Sequence, residues 1–290
     1  MGKAGGKPAA ELLLRPARRS DYKAIFEIHL QSLEGLDEED PEWFKALLSV
    51  RSRRRKVLVA EYDGQVVGFA IAYRYRRLAY IDSIAVKPEC RSMGVGSRLL
   101  AYLEDELRRD GAEVVALSVK DSNKRALDFY LRNGYQLKGI VLIMSAPVEA
   151  LPARASDTFT LKRRQAGVLR SSRFKPSTWW SSLTEPVDRL VYRRYPVEEA
   201  LLAYKGRRLR GVAEFSLDDE LYVDYMALSS YSALEALKAL LVGLRQVGLE
   251  QGARAVVIPI DASKRLIVEN LLANGLRTVG TEYLSVKELV

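Results

Sequence analysis

Apolar residues recur along this chain in stretches of two-residue period that alternate with stretches of helical period, predicting a mixed α/β fold. Val57-Leu58-Val59-Ala60-Glu61-Tyr62 followed by Gly68-Phe69-Ala70 reads as strand, turn, strand. Tyr80-Ile81-Asp82-Ser83-Ile84-Ala85-Val86 reads as buried sheet, since Ile81, Ile84 and Val86 are β-branched. The period then changes. Leu99, Leu100, Leu103 and Leu107 fall on one helical face, Glu104, Asp105, Arg108 and Arg109 on the other, and Gly111 ends the helix. The strand Val114-Val115-Ala116-Leu117-Ser118-Val119 leads to a helix capped by Asn123 and closed by Asn133-Gly134. After a connection over 147–157, Thr158-Phe159-Thr160-Leu161 is expected to be the last strand of this half, with a boundary near Gln165.

The pattern then repeats. Ala200-Leu201-Leu202-Ala203-Tyr204-Lys205 and Gly211-Val212-Ala213 echo the first hairpin at an offset of 143. Tyr222-Val223-Asp224-Tyr225-Met226-Ala227-Leu228 echoes residues 80–86 at 142, and Lys264-Arg265 with Asn274-Gly275 echoes Lys124-Arg125 with Asn133-Gly134 at 140 to 141. Offsets this constant point to duplication. Leu237, Leu240, Leu241 and Leu244 at helical spacing, with Val256-Val257-Ile258, give the second half a core. Residues 167–186, with Trp179-Trp180, match the first half poorly. Residues 1–10 read as a disordered tail, 11–165 as the first domain and 166–290 as the second.

Composition narrows the class. The chain is 48% hydrophobic over 290 residues, enough for two cores, and its single cysteine, Cys90, excludes a disulfide framework. No apolar run has the length of a membrane span and no signal peptide is recognisable, so a soluble cytoplasmic protein without membrane contact is expected. Net charge is +9, with 29 basic against 22 acidic residues up to Gln165 and 17 against 15 beyond it. The clusters Arg51-Ser52-Arg53-Arg54-Arg55-Lys56 and Arg74, Arg76, Arg77 raise nucleic-acid binding. No zinc spacing or RNA-binding aromatic motif accompanies them, and a solvated face explains them as well, so nucleic acid is disfavoured as a partner. An acidic block, Glu34, Asp37, Glu38, Glu39, Asp40 and Glu42, precedes a helix that Asp40-Pro41 starts.

The candidate chemistry lies in Arg91-Ser92-Met93-Gly94-Val95-Gly96-Ser97, between a strand and a helix. Two glycines let backbone approach a ligand, and the free N–H groups of the helix N-terminus suit a pyrophosphate. A dinucleotide fingerprint needs a third glycine where Leu99 stands, and a phosphate-binding P-loop needs a Gly-Lys-Ser/Thr that is missing.

Together with Asn123, Ala126, Tyr130, Gly134 and Tyr135, this loop resembles the GNAT superfamily of acetyl-CoA-dependent N-acetyltransferases. Arg91, Gly94 and Gly96 match its acyl-CoA loop, and the later residues match its Asn-x-x-Ala-x-x-x-Tyr-x-x-x-Gly-Tyr helix. The resemblance runs from Leu12 to about Arg164. It implies two tandem GNAT-like acyl-CoA N-acyltransferase domains of the α/β (α+β) class, with mixed, largely antiparallel sheets flanked by helices. It implies acetyl-CoA as cosubstrate, no metal, and an amine acceptor: a protein N-terminus or lysine, including a basic peptide drawn by the acidic block. Backbone of Ile84, Ala85 and Val86 then holds the pantetheine arm, and main-chain donors of Met93, Gly94, Val95, Gly96 and Ser97 hold the pyrophosphate. Asn123 joins the arm, and Tyr130 is the acid for the thiolate.

The base is harder to place. Ser118 and Tyr80 stand where family members carry Glu, so Asp82, two residues past Tyr80, is the nearest carboxylate. Glu34 is a further candidate, and the sole histidine, His29, falls on the first helix as a surface or packing residue. The second half lacks glycine in Ser229-Ser230-Tyr231-Ser232 and has Ser263 for the asparagine, so it is expected to keep the sheet without the cofactor and to cover the acceptor side. A fragment ending near Gln165 is then expected to bind the cofactor alone. Two alternatives stay open, a non-catalytic acetyl-CoA sensor and an acetyltransferase acting on a small-molecule amine.

Overall fold

The structure, a computed structural model, describes residues 11–36, 38–165, 175–176 and 199–289. The expected tail over 1–10 and the Trp179-Trp180 pair lie outside these residues. Among the described residues no helix is long and apolar enough to cross a membrane, and no group of three or more His, Cys, Asp or Glu is arranged to hold a metal.

The chain packs into two compact units, Met1–Leu117 with Lys287–Val290, and Ser118–Val286. The first holds strands β1 (Leu12–Pro16), β2 (Arg55–Tyr62), β3 (Gln65–Tyr75) and β4 (Leu78–Val86), and the start of β5 (Val114–Lys120). They pair in that order, antiparallel up to β4 and parallel between β4 and β5. Helices α1 (Tyr22–Leu30), α2 (Pro41–Ser49) and α3 (Val95–Arg109) belong to the same unit. Asp40 caps α2 by accepting from Glu42 N–H at 2.6 Å, with Pro41 in the first turn. The four leucines that set the period of α3 are all buried, and Gly111, at φ +91°, follows the helix C-terminus as expected. His29 is 3% exposed, its ring 5.0 Å from that of Phe44, which in turn meets Phe69 of β3 edge-on at 6.4 Å. It is a packing residue of the α1/α2 contact.

The second unit contains α4 (Lys124–Arg132), β6 (Gln136–Pro147), β7 (Phe159–Gln165), the short β8 (Lys175–Pro176), β9 (Glu199–Lys205), β10 (Arg208–Leu217) and β11 (Glu220–Leu228). These are followed by α5 (Ala233–Gln251), β12 (Ala255–Asp261), α6 (Arg265–Ala273) and β13 (Arg277–Glu288). Its strands run β13-β6-β12-β11-β10-β9-β7, with β8 against β11. The core gathers Met144, Ala146 and Val148 with Leu237, Leu241 and Val256, so both sequence halves contribute.

Strand pairing departs from the sequence reading in two places. Residues Phe159 to Gln165 do not complete the first half: β7 pairs antiparallel with β9, from Phe159↔Lys205 to Gln165↔Glu199. The last strand of the first half is β6, and it lies between two strands of the second. It pairs antiparallel with β12 from Ala255↔Pro147 to Asp261↔Val141, and with β13 from Arg277↔Ser145 to Val286↔Gln136. The exchange is reciprocal, since Asp121 N–H donates to Thr281 O at 3.0 Å and Ala262 N–H to Ile140 O at 2.9 Å, at an offset of 141 for both partners. Backbone packing divides the chain between Leu117 and Ser118, because the hydrogen bonds of β6 hold it in the second unit.

Candidate active site

In the first unit β4 carries an irregularity that the sequence pattern hid. Its register on β3 passes from Ile71↔Ser83 to Ala72↔Ile81, leaving Asp82 as the extra residue of a β-bulge. The bulge interrupts alternation: Tyr80 and Ile81 are both buried and Asp82 is exposed. The expectation that Asp82 shares a face with Tyr80 by simple period therefore fails at this point.

Beyond the bulge β4 parts from its neighbour. Parallel pairing with β5 covers Leu78↔Val114, Ala79↔Val115 and Tyr80↔Ala116 and goes no further. Lys87 N–H donates to Val67 O at 2.9 Å, so Lys87 and, two residues back, Ala85 turn their main-chain groups toward β3. Ile84 and Val86 turn theirs to the opposite, parted edge. Gly68 of β3 permits the close approach behind them, because a Cβ there would lie 3.0 Å from Ala85 O.

The loop that follows is built to leave donors open. Ser92 (φ +65°) and Gly94 (φ +78°) are both left-handed, and Gly94 is the N-cap of α3 with no side chain bonded to the cap. The first helical hydrogen bond runs from Arg98 N–H to Gly94 O at 3.1 Å. The N–H groups of Val95, Gly96 and Ser97 therefore precede the intrahelical ladder, at the positive end of a four-turn helix. Met93, Gly94 and Ser97 are exposed and Val95 is buried, so the loop is anchored by Val95 and presents the rest. A pocket of about 110 Å³ beside it is walled by Val67, Cys90, Met93 and Val95, with Arg98 in its lining.

Arg91 holds this loop in place. Its guanidinium donates to Val86 O at 3.0 Å, Gln31 O at 3.1 Å and Ser32 Oγ at 3.3 Å, and pairs with Glu34 at 2.9 Å. These contacts tie the loop to the C-terminal end of α1 and commit both charged groups. The sequence pattern marked Arg91 and Glu34 without revealing that they are partners.

In the second unit Asn123 caps α4 by accepting from Ala126 N–H at 3.0 Å, which leaves its amide NH₂ to donate elsewhere. Tyr130, on the same helix, is 7% exposed and lies edge-on to Phe129 at 5.2 Å and Tyr135 at 5.4 Å. Burial pushes its phenol well above the usual tyrosine range, so it keeps its proton at neutral pH.

Residues 22–135 match the model of the acetyltransferase (GNAT) family. An uncharacterised N-acetyltransferase of Chlorobaculum tepidum is 34% identical over 130 residues, covering 44% of this chain and 78% of its own length. The aminoalkylphosphonate N-acetyltransferase of Salmonella typhimurium is 36% identical over 80 residues, 26% of this chain and 52% of that protein. Among solved structures, a tandem GNAT protein from the clavulanic acid biosynthesis pathway superposes with a TM-score of 0.70 at 14% identity, over 97% of this chain and 99% of that one. With the parted strands, the left-handed Gly94 before α3 and the capped helix of Asn123 and Tyr130 already in place, this chain belongs to the GNAT family of N-acetyltransferases, whose acyl donor is acetyl-CoA.

Proposed function

We propose that this protein moves the acetyl group of acetyl-CoA onto a primary amine of a peptide or protein, either an N-terminus or a lysine, in the cytoplasm. The observation that carries the cofactor reading is the parted edge of β4, where Ile84 and Val86 turn their main-chain groups outward, followed directly by the uncapped N-terminus of α3. Ile84 and Val86 pair with the pantetheine amides. Ala85, turned toward β3, serves as their support. The N–H groups of Met93, Gly94, Val95, Gly96 and Ser97 receive the pyrophosphate, and Arg91 keeps the loop in shape from behind. Asn123 gives its free amide to the arm.

Acyl transfer needs a neutral amine, a donor at the thioester oxygen and a partner for the departing thiolate. A main-chain N–H on the parted edge of β4 serves the oxygen. Tyr130 serves the thiolate as a hydrogen-bond donor. A thiol titrates near 8.5, below even an unperturbed phenol, so Tyr130 stabilises the developing charge without ending as phenolate. Asp82, exposed on its bulge, takes the amine proton through water. Its counterpart in the second half, Asp224, accepts from Ser216 Oγ at 3.1 Å, so the aspartate at this bulge also has a structural use.

The acceptor is read from charge. Residues 31–45 hold six acidic side chains against one lysine, a field that favours a cationic amine. It is smaller than the count suggests, since Glu34 faces Arg91, Asp40 caps α2 and Glu42 pairs with Lys45. A second reading, a small-molecule amine, draws on the Salmonella typhimurium relative named for aminoalkylphosphonates. CoA release measured with N-terminal peptides, lysine peptides, polyamines and aminoalkylphosphonates separates them. Peptides turned over with the highest kcat/KM support the proposal, turnover confined to small amines replaces its acceptor, and no turnover with any amine leaves a binding protein.

A further inference from the structure

The second half has kept the opening in its sheet and lost the partner it was built for. Parallel pairing of β11 with β12 covers Glu220↔Ala255, Leu221↔Val256 and Tyr222↔Val257, then stops, as that of β4 with β5 does. The register of β10 on β11 skips Asp224, as that of β3 on β4 skips Asp82. Ser229 N–H donates to Arg210 O at 2.8 Å, repeating the bond from Lys87 to Val67. Leu228, like Val86, therefore turns its main-chain groups to the parted edge.

That edge is filled by the chain itself. Strand β8 pairs antiparallel with β11 at Ala227↔Pro176 and Leu228↔Lys175. Ala227 and Leu228 stand 142 residues after Ala85 and Val86. We propose that the opening of the second half is a binding site for an extended peptide strand, held in cis by Lys175–Pro176, and no longer a cofactor site. The comparison rests on the reading that Ile84 and Val86 hold the pantetheine arm. An extended peptide presents N–H and C=O groups along its length much as the two pantetheine amides do, so an edge shaped for one can pair with the other. Pro176 has no N–H to give, which limits the ladder to a short segment.

The other end of the ancestral site has also been reassigned. Ser232 occupies the left-handed N-cap of α5 at φ +60°, and Glu235 stands in the first turn, paired with Lys205 at 2.7 Å. A carboxylate at a helix N-terminus occupies the field that an anionic ligand would use.

The two edges can be compared in one molecule by amide hydrogen exchange on the full, unmodified chain. Without cofactor, Leu228 is expected to exchange at least about tenfold more slowly than Val86. Acetyl-CoA should slow Val86 and leave Leu228 unchanged. Lys175→Pro should speed exchange at Leu228 about tenfold or more with the melting temperature retained, and a peptide of residues 171–180 added in trans should restore protection. Calorimetry on the parent and on Lys175→Pro should give the same number of bound acetyl-CoA molecules. Equal exchange at Leu228 and Val86 in the free chain overturns the proposal. An additional acetyl-CoA bound by Lys175→Pro overturns it too, since β8 would then be a cover over a working cofactor site. No acetyl-CoA bound to the parent defeats the cofactor reading of the first half alone, because the exchange of Leu228 is measured without it.

Discussion

Ending the chain at Gln165 removes both neighbours of β6, which pairs with β12 along one edge and β13 along the other. It also strips the core around Met144, Val148 and Leu151, which are 0%, 0% and 3% exposed and pack with second-half residues such as Leu237 and Leu241. At about 1.5–3 kcal/mol for each large apolar side chain returned to water, these three cost roughly 5–9 kcal/mol, before any strand hydrogen bond is counted. That is comparable to the whole stability of a typical domain, about 5–15 kcal/mol. The fragment 11–165 is therefore expected to be unfolded or aggregated, without a cooperative melt and without acetyl-CoA binding, in contrast to what the sequence repeat alone suggests. Circular dichroism, size exclusion and calorimetry on this fragment, and on the same fragment coexpressed with 166–290, provide the assay. Recovery of a folded complex only on coexpression agrees with the strand exchange. A monomeric fragment melting within a few degrees of the full chain refutes the energetic argument.

Four further outcomes are expected. Gly94→Ala should lower stability by about 1–2 kcal/mol through its left-handed backbone, even though a Cβ there meets nothing within 4 Å, and Gly94→Glu should in addition abolish acetyl-CoA binding in calorimetry by setting a carboxylate among the loop donors. Tyr130→Phe should reduce turnover about a hundredfold with acetyl-CoA affinity little changed; a rate within about twofold of the parent makes it a packing residue. Asp82→Asn should slow turnover chiefly below neutral pH, where the amine is protonated, and loss of folding with activity assigns it a structural role instead. Burial raises the Asp21 carboxyl, but hydrogen bonds from Arg15 at 2.7 Å and from Arg18 N–H at 2.6 Å outweigh it and hold it below the usual range. This stabilisation is present above the unfolded value near 3.9 and lost as pH falls through the folded one, so thermal unfolding below about pH 4 should ease more in the parent than in Asp21→Asn.

The glycine loop was legible because its signals are local. A β-branched strand, two glycines and a helix of four periodic leucines follow one another within 30 residues, and each element forms where the pattern puts it. The helix of Asn123 and Tyr130, with its cap and its left-handed Gly134 (φ +88°), is local in the same sense. The two hairpins were legible and form, but pairing between distant strands was not. The sequence pattern marked residues 158–161 of β7 as a strand and did not single out β6; the partners of β6 lie more than a hundred residues away, and no side-chain pattern specifies β9 over a strand of the first half for β7. The bulge at Asp82 was hidden because the polar pair Asp82-Ser83 in an apolar run does not reveal which residue is skipped in the register on β3. Arg91 was marked as a motif letter, yet only the folded structure reveals that its guanidinium is taken up by Val86, Gln31, Ser32 and Glu34.

The reciprocal placement of β6 has a consequence for synthesis. When its last residue leaves the ribosome, the first residue of β12 is still 108 positions behind, and that of β13 130 positions. At roughly 5–20 residues per second, β6 waits on the order of 5–25 s for its neighbours. For that interval the nascent chain carries an apolar strand with both edges open, the arrangement most prone to pair with another chain. Translation speed and chaperone supply should therefore govern the yield of this protein more than its equilibrium stability does.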